Sequence, residues 1–227
     1  MSTPFATRMF TAALIAFSSN ELRSQETQPY APVYHAWLEA GVLFAQSTDL
    51  HGFPGAGGAA RLTLDPGFRI AGGSDYSFTR YLSVGWEVGV LGAGVEGASR
   101  LEEMDAVITQ VPFLVNVALR YENASGFTPF IGIAGGAAST ALDVDEARSG
   151  TATVDGSDFD FVPAWQLTAG MKYEFKNHIG LGLTYKYLWT GNAEWELESD
   201  TSGVPDQDLR LDGIHSHAVL AFISYQF

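Results

Sequence analysis

The sequence predicts an all-β protein, an eight-stranded antiparallel up-and-down transmembrane β-barrel. Three observations carry this reading. Large apolar residues recur at every second position through long stretches, the connections between those stretches alternate in length, and aromatic residues gather near the stretch ends. A two-residue period is the signature of a strand, because successive side chains point to opposite faces. Closing such strands on themselves removes the unpaired edges that a membrane does not tolerate.

In chain order, the first element lies outside the barrel. Arg8 precedes the apolar run Met9 to Phe17, and small polar residues follow it, which is the order of a secretory signal. Residues 1–24 read as that signal peptide, with the mature chain starting near Gln25 and residues 25–227 forming the barrel domain. The run is far shorter than the roughly 18–20 residues of a spanning helix.

Alternation then begins weakly near Ala36 and again near Gly67. It becomes strict in the third segment, where Leu82, Val84, Trp86, Val88 and Val90 share one face and Ser83, Gly85, Glu87 and Gly89 the other. The fourth sets Val111, Phe113, Val115, Val117, Leu119 and Tyr121 against Gln110, Pro112, Leu114, Asn116, Ala118 and Arg120. A weaker fifth starts near Pro129. In the sixth, Leu167, Ala169, Met171, Tyr173 and Phe175 oppose Gln166, Thr168, Gly170, Lys172 and Glu174. The seventh sets Ile179, Leu181, Leu183, Tyr185, Tyr187 and Trp189 against Gly180, Gly182, Thr184, Lys186 and Leu188, and a weaker eighth starts near Ile214.

Phe78 to Tyr81, Glu122 to Phe127 and Lys176 to His178 read as tight turns, whereas 47–66, 92–106, 140–160 and 190–213 are long and polar and read as solvated loops. Up-and-down strands then gather all the turns at one end and all the long loops at the other. A soluble barrel would hide its apolar stripe and cover itself with charge. Here the other stripe is Gly, Ser, Thr and Asn with few charges, too poor in charge for a solvated surface, so the apolar stripe is assigned to lipid. Tyr76, Phe78, Tyr81, Tyr121, Phe127, Tyr173, Phe175, Tyr225 and Phe227 fall near the short-turn end, and Phe44, Phe161, Trp165, Tyr187 and Trp189 near the long-loop end. Two aromatic girdles flanking an apolar band mark a membrane barrel.

With apolar residues outward, the inward positions carry Glu39, Asp75, Glu87 and Glu174 together with Arg69, Arg120, Lys172 and Lys186. One Arg or Lys on the lipid face near the midplane would cost about 2–4 kcal/mol. Eight strands leave a lumen just wide enough for side chains to fill it. The four acids and four bases therefore predict one paired network that plugs the interior. They cancel, so the net charge of −14 belongs to the long loops.

Composition excludes other chemistry. With no cysteine there is no disulfide scaffold, cysteine-ligated zinc or thiol nucleophile. Twelve basic residues against 26 acidic ones, with no basic run, leave no footprint for nucleic acid. Gly92, Gly94 and Gly97 match a dinucleotide fingerprint, but the strand before them alternates where a parallel Rossmann strand is continuously apolar, so no cofactor is expected. Asp143, Asp145 and Glu146 lack the glycine and the distal glutamate of a calcium loop, and His35, His51 and His178 are isolated, so no metal is expected either.

Val111 to Tyr121, a short turn, and Thr128 to Gly136 resemble the central hairpin of small outer-membrane β-barrel proteins of the OmpA, OmpX and opacity type. Ala164 to Tyr173 followed by Gly180 to Leu188 resembles them too, and His217 to Phe227 looks like the family's C-terminal assembly signal. The resemblance implies that Tyr225 and Phe227 are read by the barrel-assembly machinery. It implies a monomer in the lipid of a bacterial outer membrane, with a structural, surface-interaction or porin-like role and no enzymatic activity. Because the chain stops at Phe227, no peptidoglycan-binding domain like that of OmpA is expected.

Two other functions stay open at this stage. His215, Ser216 and His217 invite comparison with outer-membrane lipid-A deacylases, which use a His/Ser pair on the lipid-facing surface; adjacent strand residues, however, point to opposite faces. A small channel for apolar solutes would instead need an open, apolar lumen.

Overall fold

The structure, a computed structural model, describes residues 31–53, 58–99, 103–122, 125–149, 152–197 and 207–227. The signal segment 1–24 lies outside them. The strands are β1 (Val33–Ala45), β2 (Thr48–His51), β3 (Ala60–Leu64), β4 (Gly67–Ser77), β5 (Leu82–Ala98), β6 (Glu103–Arg120), β7 (Phe127–Ser149), β8 (Ala152–Glu174), β9 (Ile179–Thr190), β10 (Ala193–Leu197), β11 (Gln207–Leu211) and β12 (His215–Gln226).

Eight of them close a ring of antiparallel ladders. The order is β1, β4, β5, β6, β7, β8, β9, β12 and back to β1. Partners followed round the ring from His35 pass through Asp75, Gly85, Asn116, Ala134, Gln166, Leu188 and Ser216 and return to β1 at Ala45. That ten-residue stagger fits a strand tilt of about 40°, ordinary for a closed barrel. It also sets which side chains share a height, which sequence order alone does not.

The two-residue period sorts the faces as predicted. Leu38 is 65% exposed, Val115 62% and Leu183 63%, all on the outer wall, whereas their neighbours Glu39, Leu114 and Thr184 are buried. Close packing inside depends on glycine at particular places. A Cβ on Gly182 would collide with the Phe222 ring, and one on Gly73 would come within 2.8 Å of the Trp37 ring, so these positions make room for aromatic side chains in the lumen.

The four long segments expected as solvated loops are largely strand. β2 and β3 form a hairpin beyond β1, β10 and β11 form one beyond β9, and β7 and β8 each run for 23 residues. β11 pairs with β2, and β3 pairs with the upper end of β5, so the wall continues past the main ring. The reason is an alternation that is short and sparse but real. Leu50, Leu62, Leu64, Ile108, Leu142, Val144, Trp195, Leu209 and Leu211 point inward and are buried, while Arg61, Asp105, Asp143, Glu194, Asp208 and Arg210 point out and are exposed.

One seam remains in this upper wall, since β10 pairs with β11 and has no ladder to β8 among the described residues. At its base Gly191 N–H donates to Pro163 C=O at 2.8 Å. Higher up, the N–H groups of Phe159 and Phe161 donate to the carboxylates of Asp158 and Asp160, each at 2.7 Å, and Asp160 also accepts from Glu194 N–H at 3.1 Å. Carboxylates and a proline thus occupy an edge where another strand could add.

Candidate functional site

The lumen is the first candidate, and its lower half is built from the inward positions of the ring. At mid-height Arg69 of β4 donates through Nη2 to Glu87 Oε1 of β5 at 2.6 Å and to the Gln166 side chain of β8. Gln166 in turn donates to Glu87 Oε2 at 3.1 Å. Lys186 of β9 joins Glu87 Oε2 at 2.7 Å and Glu39 Oε1 of β1 at 2.5 Å, and Thr184 donates to Glu39 Oε2 at 3.2 Å. The Lys186 ammonium also sits 4.8 Å from the centre of a Trp37 ring. Two bases thus face two acids in a cluster where Arg69 is 0% and Glu87 3% exposed. Charges this deep are tolerated because each has an opposite partner and further hydrogen bonds.

A second group lies nearer the short turns. His35 Nδ1 is 3.3 Å from Asp75 Oδ2, and Arg120 contacts Asp75 at 3.7 Å, Glu122 at 3.8 Å and the Ser77 hydroxyl. Lys172 pairs with Glu174 at 2.7 Å. Between the two groups is a cavity of about 120 Å³, lined by Trp37, Phe130 and Phe222 on one side and by Asn116, Thr128 and Ser224 among its polar walls. The structure therefore divides the eight predicted inward charges into the mid-height cluster of Arg69, Glu87, Lys186 and Glu39 and two pairs nearer the turns, Arg120–Asp75 and Lys172–Glu174. Gln166, Thr184, Trp37 and His35, which the sequence reading did not assign to this network, complete them.

Above Arg69 the lumen changes character. Gln110 donates to the hydroxyls of Thr140 and Thr190 at 3.1 and 3.0 Å, and beyond this polar layer the interior is apolar. Ile108, Leu142 and Val144 line it above that layer, and Leu43, Leu91 and Leu188 pack directly below it. Trp195, 1% exposed, closes the extension, its indole N–H held by the Thr140 carbonyl at 3.1 Å. The missed signal was the parity of Leu62 and Leu64 and of Leu209 and Leu211, which share a face across a single residue.

The outer wall holds the second candidate. Ser216 points inward and is 2% exposed, while His215 and His217 point out, so the three residues do not assemble a His/Ser pair. Each histidine instead meets a tyrosine of β9. Tyr187 Oη lies 2.5 Å from His215 Nδ1, Tyr185 Oη lies 2.6 Å from His217 Nδ1, and the Gln46 amide reaches His217 Nε2 at 3.0 Å. Trp165 and Trp189 stack beside them with centroids 6.3 Å apart. Among the described residues, no three His, Asp or Glu side chains gather into a cation site.

Residues 9–227 match the family model described as outer membrane protein beta-barrel domain. No curated protein sequence matches the chain. Among solved structures, the chain is similar to the outer membrane protein OprG from Pseudomonas aeruginosa, with 16% identity over 85% of this chain and 95% of OprG and a TM-score of 0.53. It is also similar to the outer membrane protease OmpT from Escherichia coli, with 9% identity over 89% of this chain and 99% of OmpT and a TM-score of 0.54. Identities this low speak for the fold alone.

Proposed function

The chain belongs to the outer membrane protein beta-barrel family, and on that premise we propose that it is a closed, non-conducting barrel of the bacterial outer membrane that presents a folded acidic extension at the cell surface. The observation that carries this is the filled interior. A bonded layer of Arg69, Glu87, Gln166 and Lys186 lies under packed side chains that run from Leu188 through the Gln110–Thr140–Thr190 layer to Trp195. An ion crossing it would shed its hydration with nothing to replace it. The same packing disfavours a channel for apolar solutes, because the apolar lumen is occupied by the chain's own side chains.

On this reading the barrel is an anchor and the extension is the working surface, with no reaction assigned to it. Tyr225 and Phe227, exposed on the outer wall with ring centroids 4.9 Å apart, are suited to recognition by the assembly machinery, and residues 1–24 to export. The protein then works as a monomer. Planar-bilayer recording of the refolded protein tests the central claim. The expected trace is flat, and stable ohmic steps in most insertions would sink it.

A further inference from the structure

The two Tyr–His pairs on the outer wall have a hydrogen-bond balance that the protein does not close. Tyr187 carries one O–H, and neutral His215 carries one N–H. Whichever tautomer is present, only one of these hydrogens lies between the two rings, and the other points away from them. The His215 ring makes no other hydrogen bond among the described residues. Tyr185, His217 and Gln46 repeat the pattern: one Gln46 N–H goes to His217 Nε2, the ring's own hydrogen then lies on Nδ1 toward Tyr185 Oη, and the second Gln46 N–H and the Tyr185 O–H are left over.

These donors face lipid. The ring register places His217 and Trp165 level with Val42 and Phe113, on the apolar outer wall. On the far side of the barrel that height carries Phe68, Ile70, Val90, Phe113 and Ala137, with no polar group. The donors are therefore concentrated on β9 and β12, and the stacked indoles of Trp165 and Trp189 adjoin them. A stacked aromatic pair offers a flat apolar face, which suits the C–H face of a sugar ring, and surplus N–H and O–H groups suit a phosphate.

We infer that Tyr185, Tyr187, His215 and His217, with Gln46 and the Trp165–Trp189 platform, form a seat for the phosphorylated sugar headgroup of a glycolipid in the leaflet at the long-loop end. In barrels of this kind the long loops are extracellular, so this is the outer leaflet. The inference rests on the membrane placement of the barrel and is independent of whether the interior conducts.

Native mass spectrometry of the folded full-length protein in mild detergent tests it, with diphosphoryl lipid A as probe. One lipid A should stay bound to the wild type. The Tyr187→Phe/His215→Phe double variant keeps the rings and removes the one donor this pair leaves over, and should bind about fivefold more weakly, the scale of one lost hydrogen bond. Tyr34→Phe, at the opposite girdle, should bind like wild type, and phosphatidylglycerol should not distinguish wild type from the double variant. A heat-shift on a gel verifies folding, and should the double variant misfold, Gln46→Leu, which removes the left-over amide N–H of the second pair, should weaken binding about fivefold through one lost bond. Equal retention of lipid A by wild type and a folded variant overturns the inference. So does equal binding of lipid A with its phosphates removed.

Discussion

The lower and upper halves of this barrel fill the same bore with opposite chemistry. Near the short turns the lumen is polar, holds a cavity of about 120 Å³ and is tied together by ion pairs. Toward the surface it is mostly apolar, crossed by the single Gln110–Thr140–Thr190 layer and capped by Trp195. The contrast shows that one strand period yields either filling, because alternation fixes which residues point in but not what they are. The lower half is held by pairing, where removing one partner strands the other, and the upper half by volume, where removing a side chain leaves a void.

That difference is open to graded tests. The largest effect is expected for Glu87→Ala, which leaves Arg69 and Lys186 short of a counter-charge and should cost about 3–5 kcal/mol. Urea unfolding in lipid vesicles, followed by tryptophan fluorescence, reads it. Removing the Arg69–Glu87 pair together, as Arg69→Met with Glu87→Leu, should recover much of that loss, since Lys186 keeps Glu39. A double variant no more stable than Glu87→Ala would break the pairing account. Leu62→Ala should cost about 2–4 kcal/mol through a cavity. Its effect should stay in the extension, so that hydrogen exchange quickens in β2, β3 and β11 while β1 and β12 keep their protection. Uniform acceleration would mean the two halves unfold as one. Asp143→Asn, on the exposed outer face, should shift stability by less than about 0.5 kcal/mol.

Much of this was legible in the residues. Strict alternation from Leu82 to Val90 and from Ile179 to Trp189 specifies outward and inward sets, and the inward parity of Glu87 and Lys186 follows from it. Which inward residues meet was not legible. Glu87 and Lys186 are 99 residues apart and touch only because the ring closes with its particular stagger, a property of ladder registry that no local pattern carries. The extension was misread for a different reason. Its strands are four or five residues long, and their charged outward positions dominate the composition, so Leu50, Leu62, Leu209 and Leu211 were outweighed by the aspartates and glutamates around them.

The seam beside β8 bears on how the protein lives among copies of itself. Barrels embedded in a sheet of lipid keep the same height and collide side-on, so a bare strand edge on one would meet a bare edge on the next at matching level, and contacts would zip into arrays. Asp158 and Asp160 turn the donors of that edge back on their own side chains, and Pro163 offers no donor at all. The rim can thus stay unfastened along one line and still present no row of free donors for a neighbour's strand to fasten to.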